Sequence, residues 1–250
     1  MLCEPKGAIL RRLDIGKISP FGRNDRLYIM LSIVATPIGN LGDITLRALE
    51  ILKSADIILC EDTRVTKKLL SYYEITTPTM SYHQHSDEKK ISEILSLLAD
   101  GKHLALVTDA GTPGISDPGN KLIADIHTQM PDVSTVPIPG PSAVIAALSI
   151  SGFPTDKFIF MGFPPHKKGR ETFFREVAEA KYTVALYESN HRILKAISQL
   201  EKVLDAKREV VICRELTKKF ETVYRGSMAE VSKMEMSEKG EFVVVVRGSR

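Results

Sequence analysis

From Leu31 onward, short β-branched apolar runs alternate with longer amphipathic stretches, and this alternation constrains the fold more than any other feature. A strand, a helix and a second strand can bring the chain back to the same edge of a sheet. Repeated alternation therefore predicts an α/β fold with a mostly parallel sheet. Strands are expected over residues 31–35, 57–60, 104–107, 133–138, 157–162, 183–187, 209–213 and 241–246. Helices are expected over 44–54 with Asp43 as N-cap, 67–73, 89–99, 121–130, 143–151 behind Ser142, 171–180, and 191–204 behind Asn190. Asp, Ser and Asn are favoured before a helix because their side chains accept its first unpaired N–H groups.

Three prolines and a glycine within residues 137–142 mark a joint. Two α/β domains are expected on either side of it, 30–140 and 141–250, with a cofactor cleft between them. The 250 residues suffice for two cores. Residues 1–29 carry no sustained period and are broken by Gly7, Gly16, Pro20 and Gly22, so they are expected to be a disordered or artefactual extension, with Met30 as the start. Residues 1–26 hold six basic and three acidic side chains, which accounts for the net charge of +3. The remainder is balanced, which excludes a uniformly basic nucleic-acid coat but not a local basic patch. Cys3, Cys60 and Cys213 form no CxxC pair, so neither a disulfide framework nor a zinc site follows, and a reducing cytoplasm is expected. No apolar run approaches the roughly 20 residues of a membrane helix, and no secretory signal opens the sequence.

The unusual residues follow the expected strands. Thr36-Pro37-Ile38-Gly39-Asn40 follows the first, Glu61-Asp62-Thr63-Arg64 the second, and residues 108–119 (TDAGTPGISDPG) the third. Pro139-Gly140-Pro141-Ser142, Glu188-Ser189-Asn190-His191-Arg192 and Arg214-Glu215-Leu216-Thr217-Lys218 follow later strands. The carboxyl ends of parallel strands share one edge, so these segments should meet in one ligand cleft. Glycine and proline turns let main-chain groups approach a polar, nucleotide-like cofactor. No GxGxxG follows a strand, and residues 114–121 (GISDPGNK) imitate a phosphate loop without its magnesium-binding Ser or Thr, so dinucleotide binding and NTP hydrolysis are disfavoured. His83 and His85 could share a strand face but lack an assured third ligand, so no metal is expected. No nucleophile elbow is present. Acids at the end of an apolar strand must be paired or used. Arg64 can pair with Glu61 or Asp62, or it can grip a phosphate together with Lys67, Lys68 and the basic run His166-Lys167-Lys168-Gly169-Arg170.

Residues 34–53 (VATPIGNLGDITLRALEILK), 60–70 (CEDTRVTKKLL), 108–119, 138–163 (IPGPSAVIAALSISGFPTDKFIFMGF), 186–193 (LYESNHRI) and 214–221 (RELTKKFE) closely resemble the small-subunit ribosomal RNA methyltransferase I family, within the tetrapyrrole methylase superfamily. The likeness runs collinearly from Leu31 to Arg247. It implies a two-domain α/β fold, S-adenosyl-L-methionine held between the domains, a cytoplasmic homodimer, and methylation of the ribose 2′-hydroxyl of a cytidine in the decoding region of 16S ribosomal RNA. By resemblance the cofactor is held by Gly111, Thr112, Pro113 and Ile115, by Ser142 and Ala143 after Pro139 and Gly140, and by Tyr187 and Leu216, with the first loop, Pro37 and Ile38 included, near the methyl donor or the RNA. Asn190 stands where the family usually has proline. The sequence stops soon after residues 240–243, where many members continue with a segment thought to assist the RNA.

Methyl transfer to a hydroxyl depends chiefly on alignment, with help from proton removal. Glu61 or Asp62 is expected to orient or accept that proton, Arg64 and Lys218 to hold RNA phosphates, and Asp109 and Glu188 to organise the cleft. The rival functions are methylation of a small tetrapyrrole, which needs a large apolar acceptor cleft, and a noncatalytic RNA-binding or ribosome-assembly role.

Overall fold

The computed structural model describes residues 30–84 and 86–249, so the expectations for residues 1–29, Cys3 among them, and for His85 lie outside it. Two five-stranded sheets follow one another along the chain. The first contains β1 (Met30–Val34), β2 (Ile57–Cys60), β3 (Thr79–Ser81), β4 (Leu104–Leu106) and β5 (Ser134–Ile138), in the order β3-β2-β4-β1-β5 with every pairing parallel. Buried on both faces, its strands need apolar side chains in both directions. Leu31, Leu59, Leu104 and Leu106 pack on one side against α3 (Glu88–Ala99) and α4 (Asn120–Gln129). Val34, Ile58, Cys60 and Ala105 pack on the other against α1 (Leu46–Ser54) and α2 (Thr63–Tyr72).

The second sheet comprises β6 (Phe158–Phe160), β7 (Thr183–Ser189), β8 (Glu209–Arg214), β9 (Thr222–Ser227) and β10 (Glu241–Val246), ordered β6-β7-β10-β8-β9. Here β6 and β7 pair parallel, whereas β10 lies antiparallel between β7 and β8, and β9 closes the edge antiparallel to β8. The carboxyl ends of β7 and β8 therefore share an edge with the amino end of β10. One face is covered by α6 (Arg170–Glu179), α7 (Ile193–Val203) and the short α8 (Met228–Val231). The other carries α5 (Ala143–Ser151), whose Val144, Ala147 and Leu148 pack against Ala185, Val211 and Val245.

Several local expectations are corrected. Thr45, not Asp43, caps α1, its hydroxyl accepting from Ala48 N–H, because a 3-10 turn over Leu41–Asp43 takes up Asp43. Helix α2 begins four residues earlier than expected because Asp62 accepts from Arg64 N–H. Ser142 precedes α5 without a side-chain cap, and Asn190 opens a 3-10 turn, leaving Arg192 before α7. β3 and β9 have no expected counterparts: three residues are too few for a period, and β9 ends in Arg225-Gly226-Ser227 and carries no sustained apolar run at its open edge. Among the described residues no helix is long and apolar enough to cross a membrane.

Candidate active site

The loops after β1 and β4 are fastened together. Thr36 N–H donates to Gly111 O (2.9 Å), Gly111 N–H donates to Thr36 O (3.0 Å), and the buried Thr36 hydroxyl donates to Thr108 O (3.2 Å). Gly111 has φ +81°, the left-handed region glycine enters without strain, so the chain can turn beside Ile38. The Thr112 hydroxyl donates to Pro141 O (3.2 Å), tying in the loop after β5. Gly140 lies against Ala35, where a Cβ would come within 3.0 Å of the alanine methyl. This stack forms one wall of a cavity of about 590 Å³ between the edges of the two sheets.

Ile38, residues 110–112 and 115–117, Ser142 and Ala143 line that wall. Phe163, residues 187–190, Cys213, Glu215, Leu216, Lys218 and residues 240–243 line the other. The two walls meet where Gly162 approaches Ser116, since a Cβ at Gly162 would lie 3.1 Å from Ser116 Oγ. Ser116, Glu215 and Thr217 all have positive φ (62°, 51° and 64°), a cost for non-glycine residues that concentrates here beside the cavity.

The two walls treat their carboxylates differently. On the first wall Asp117 is pushed up to about 6, by burial and then by the charge of Glu61, against the opposing effect of the Thr108 hydroxyl. Glu61 is raised by burial and then by Asp109, and Asp109 by burial in spite of the Asp62 N–H it accepts at 3.2 Å. Asp62 is the exception, held down to about 2 by hydrogen bonds from the Arg64 side chain and main chain. The Arg64–Asp62 pair (2.7 Å) leaves the guanidinium side chain 87% exposed. On the second wall Glu188 is buried and accepts from Arg170 (2.7 Å), Arg192 (2.9 Å) and Ser189 N–H (2.9 Å). Lys218 binds Glu215 (2.9 Å) and Glu241 (2.7 Å). Burial works against both charges, but these bonds leave Glu215 below and Lys218 above their ordinary values. Burial also pushes the Cys213 thiol up to about 11, so it serves as an apolar wall atom.

Of the expected cofactor residues, Ile38, Gly111, Thr112, Ile115, Ser142, Ala143, Tyr187 and Leu216 line the cavity, whereas Pro37, Pro113, Pro139 and Gly140 do not. Pro113 is buried, Pro37 is half-buried, and Pro139 and Gly140 are exposed. Glu188 and Lys218 also line it, whereas Glu61, Asp62, Arg64 and Asp109 do not. They follow β2 and β4, and Asp62 is fixed by its capping of α2. Missing from the expected set were Asp117, Phe163, Cys213 and the start of β10. Asp117 lay inside a motif read for its main-chain approach to a cofactor rather than for its side chains, and β10 enters by its amino end because it is antiparallel. Among the described residues no group of three or more His, Cys, Asp or Glu is placed to hold a metal ion.

Residues 30–232 match the model for tetrapyrrole (corrin/porphyrin) methylases. The chain is 47% identical over 226 residues to the ribosomal RNA small subunit methyltransferase I of Vibrio cholerae, covering 88% of this chain and 78% of that protein. It is 43% identical over 220 residues to the protein of that name from Thermotoga maritima, covering 87% and 98%. In fold it is similar to uroporphyrin-III-C-methyltransferase from Thermus thermophilus (TM-score 0.62, 15% identity, 87% of this chain and 94% of that one). It is likewise similar to cobalt precorrin-4 methyltransferase (TM-score 0.59, 18% identity, 88% and 95%). The chain thus belongs to the tetrapyrrole methylase family and, within it, to the ribosomal RNA small subunit methyltransferase I group.

Proposed function

We propose that this protein is an S-adenosyl-L-methionine-dependent methyltransferase that acts on the ribose 2′-hydroxyl of a cytidine in the decoding region of 16S ribosomal RNA. The observation that carries the reading is the character of the cavity: main-chain loops and apolar side chains, an aromatic flank, and one carboxylate, Asp117, whose proton affinity burial raises. Its volume lies in the range of small-molecule sites. When bound, S-adenosyl-L-methionine supplies an activated methyl group on a sulfonium. Ile38, Gly111, Thr112, Ile115, Ser142, Ala143, Tyr187 and Leu216 hold the cofactor in this reading. The halves 30–140 and 141–250 act as two domains with the cofactor between them.

Asp117 orients the ribose hydroxyl and takes its proton, in place of Glu61 or Asp62. A carboxyl near 6 is a much better proton acceptor than one held at about 2 by an arginine, and Asp117 faces the cavity. Glu61 and Asp109 keep Asp117 basic by their charge. Arg64, with exposed Lys67 and Lys68 on the same helix, meets RNA phosphates outside the opening. Lys218, already bound to two carboxylates, shapes the wall.

A homodimer fits the outer side of α5. This helix is mostly apolar, and Ile145 and Ile150 remain 53% and 42% exposed beside exposed Ser149, which is costly unless a second copy covers them. The first experiment is transfer of labelled methyl to small ribosomal subunits lacking the modification, with the product mapped by mass spectrometry. Label on one cytidine ribose of the decoding region supports the reading. Label on a base, or none on RNA with efficient transfer to a tetrapyrrole, overturns it.

A further inference from the structure

Phe163 lines the mouth of the cavity with its side chain 50% exposed, an unusual place for a large apolar ring. Its position is nonetheless fixed from several sides. Gly162, at φ +62°, turns the chain there, and its carbonyl accepts from Tyr187 N–H (2.9 Å). Pro164 and Pro165 follow, two consecutive residues with φ set by their rings. Arg192 Nη1 donates to Pro164 O (3.0 Å) and Arg170 Nη1 to Pro165 O (3.2 Å). Both guanidinium groups are themselves oriented by buried Glu188. Arg170 is further held by Gln199 (2.7 Å) and lies over the Phe174 ring. The Phe163 ring leans on Tyr187, centroids 5.4 Å apart, leaving its other side open.

A buried carboxylate and two arginines thus hold an exposed aromatic rigid. Just beyond it, His166, Lys167 and Lys168 are exposed, and among the described residues neither lysine has an ion-pair partner. Gly162 meets Ser116, the neighbour of Asp117, so the ring stands on the side of the mouth where the carboxylates gather.

We propose that Phe163 is a stacking platform for an unpaired nucleobase of single-stranded RNA, with Lys167 and Lys168 facing the adjoining phosphates and the Arg170–Glu188–Arg192 cluster positioning the platform. This deepens the reading of the site as an RNA methyltransferase. An open ring face takes any base, and a fixed ring loses little freedom on stacking. Alignment of the ribose then follows from where its base is held.

The chain has no tryptophan, so Phe163→Trp introduces a single fluorescent reporter at the platform. The platform predicts that a short unstructured oligoribonucleotide quenches this reporter and that S-adenosylhomocysteine does not compete with it. Phe163→Ala should raise KM for small subunits about 5- to 100-fold, the range for loss of one stacked base, with affinity for S-adenosylhomocysteine and Tm unchanged. Phe163→Tyr should restore KM. Quenching by S-adenosylhomocysteine alone, with a matching loss of its affinity in Phe163→Ala, overturns the proposal by making Phe163 a cofactor wall. So does the absence of quenching by the oligonucleotide. Quenching needs no methyl transfer, so a wild-type protein that labels no RNA refutes the proposed reaction while the platform is still judged.

Discussion

Two sheet edges face one another across the cavity, and both present carboxylates, yet only one edge neutralises them. On the C-terminal edge Glu188 has two arginines, and Glu215 and Glu241 share Lys218. On the N-terminal edge Glu61, Asp109 and Asp117 sit near one another, and Arg64 is spent on Asp62. A buried carboxylate that is paired acts as a bracket. One that is desolvated beside like charges gains proton affinity, up to about 6 for Asp117, which suits proton transfer.

Removing Glu188 should show the sharpest contrast. Glu188→Ala leaves the buried Arg170 and the half-buried Arg192 without their carboxylate and is expected to cost about 3–5 kcal/mol, measured by urea denaturation. A loss as small as that of an exposed pair would mean that the bracket is not one. Next, Asp117→Asn should lower turnover on small subunits about 100-fold or more, with cofactor binding retained in calorimetry. Full activity in this variant would return the proton to another group.

Asp117 also gives the comparison a pH signature. Its folded value of about 6 stands above the ordinary 3.8, so the folded state binds the proton more tightly than the unfolded chain does. The stabilisation this provides is complete below 3.8 and is lost as pH rises through about 6. Wild-type turnover should therefore rise with pH around 6 and then level off. Asp117→Asn should melt higher than wild type above pH 6, with the difference vanishing in acid.

The smallest effects belong to exposed charges. Arg64→Ala should leave stability nearly unchanged, because its pair with Asp62 is solvent-screened. It should reduce the salt slope of RNA binding by about 0.7–0.9 if the guanidinium meets one phosphate. Lys167→Ala combined with Lys168→Ala should reduce that slope by about twice as much. Equal slopes in all three proteins would confine Arg64 to its role at the start of α2.

Much of the fold was legible because it depends on local pattern. Buried strands are apolar nearly throughout, so β1, β2 and β4 stood out, as did β7, β8 and β10. The loops that line the cavity were legible for a related reason: glycines and prolines after strands have few other uses. Illegible were β3 and β9, too short or too polar to show a period, and the direction of β10, which nothing in its valine run encodes.

The sequence by itself determined the alternation, the loops that close on the cavity, and the family to which they belong, since these rest on periodicity and on motifs many residues long. Tertiary structure decided which charges work. Glu61, Asp62, Asp109, Asp117 and Glu188 are alike in a string of letters. Only the fold brings Arg170 and Arg192 to Glu188 from either side of its strand, locks Asp62 to Arg64 at the start of a helix, and leaves Asp117 desolvated at the cavity wall. Proton affinity is set by burial and by neighbours in space, and neighbours in space are what a sequence does not list.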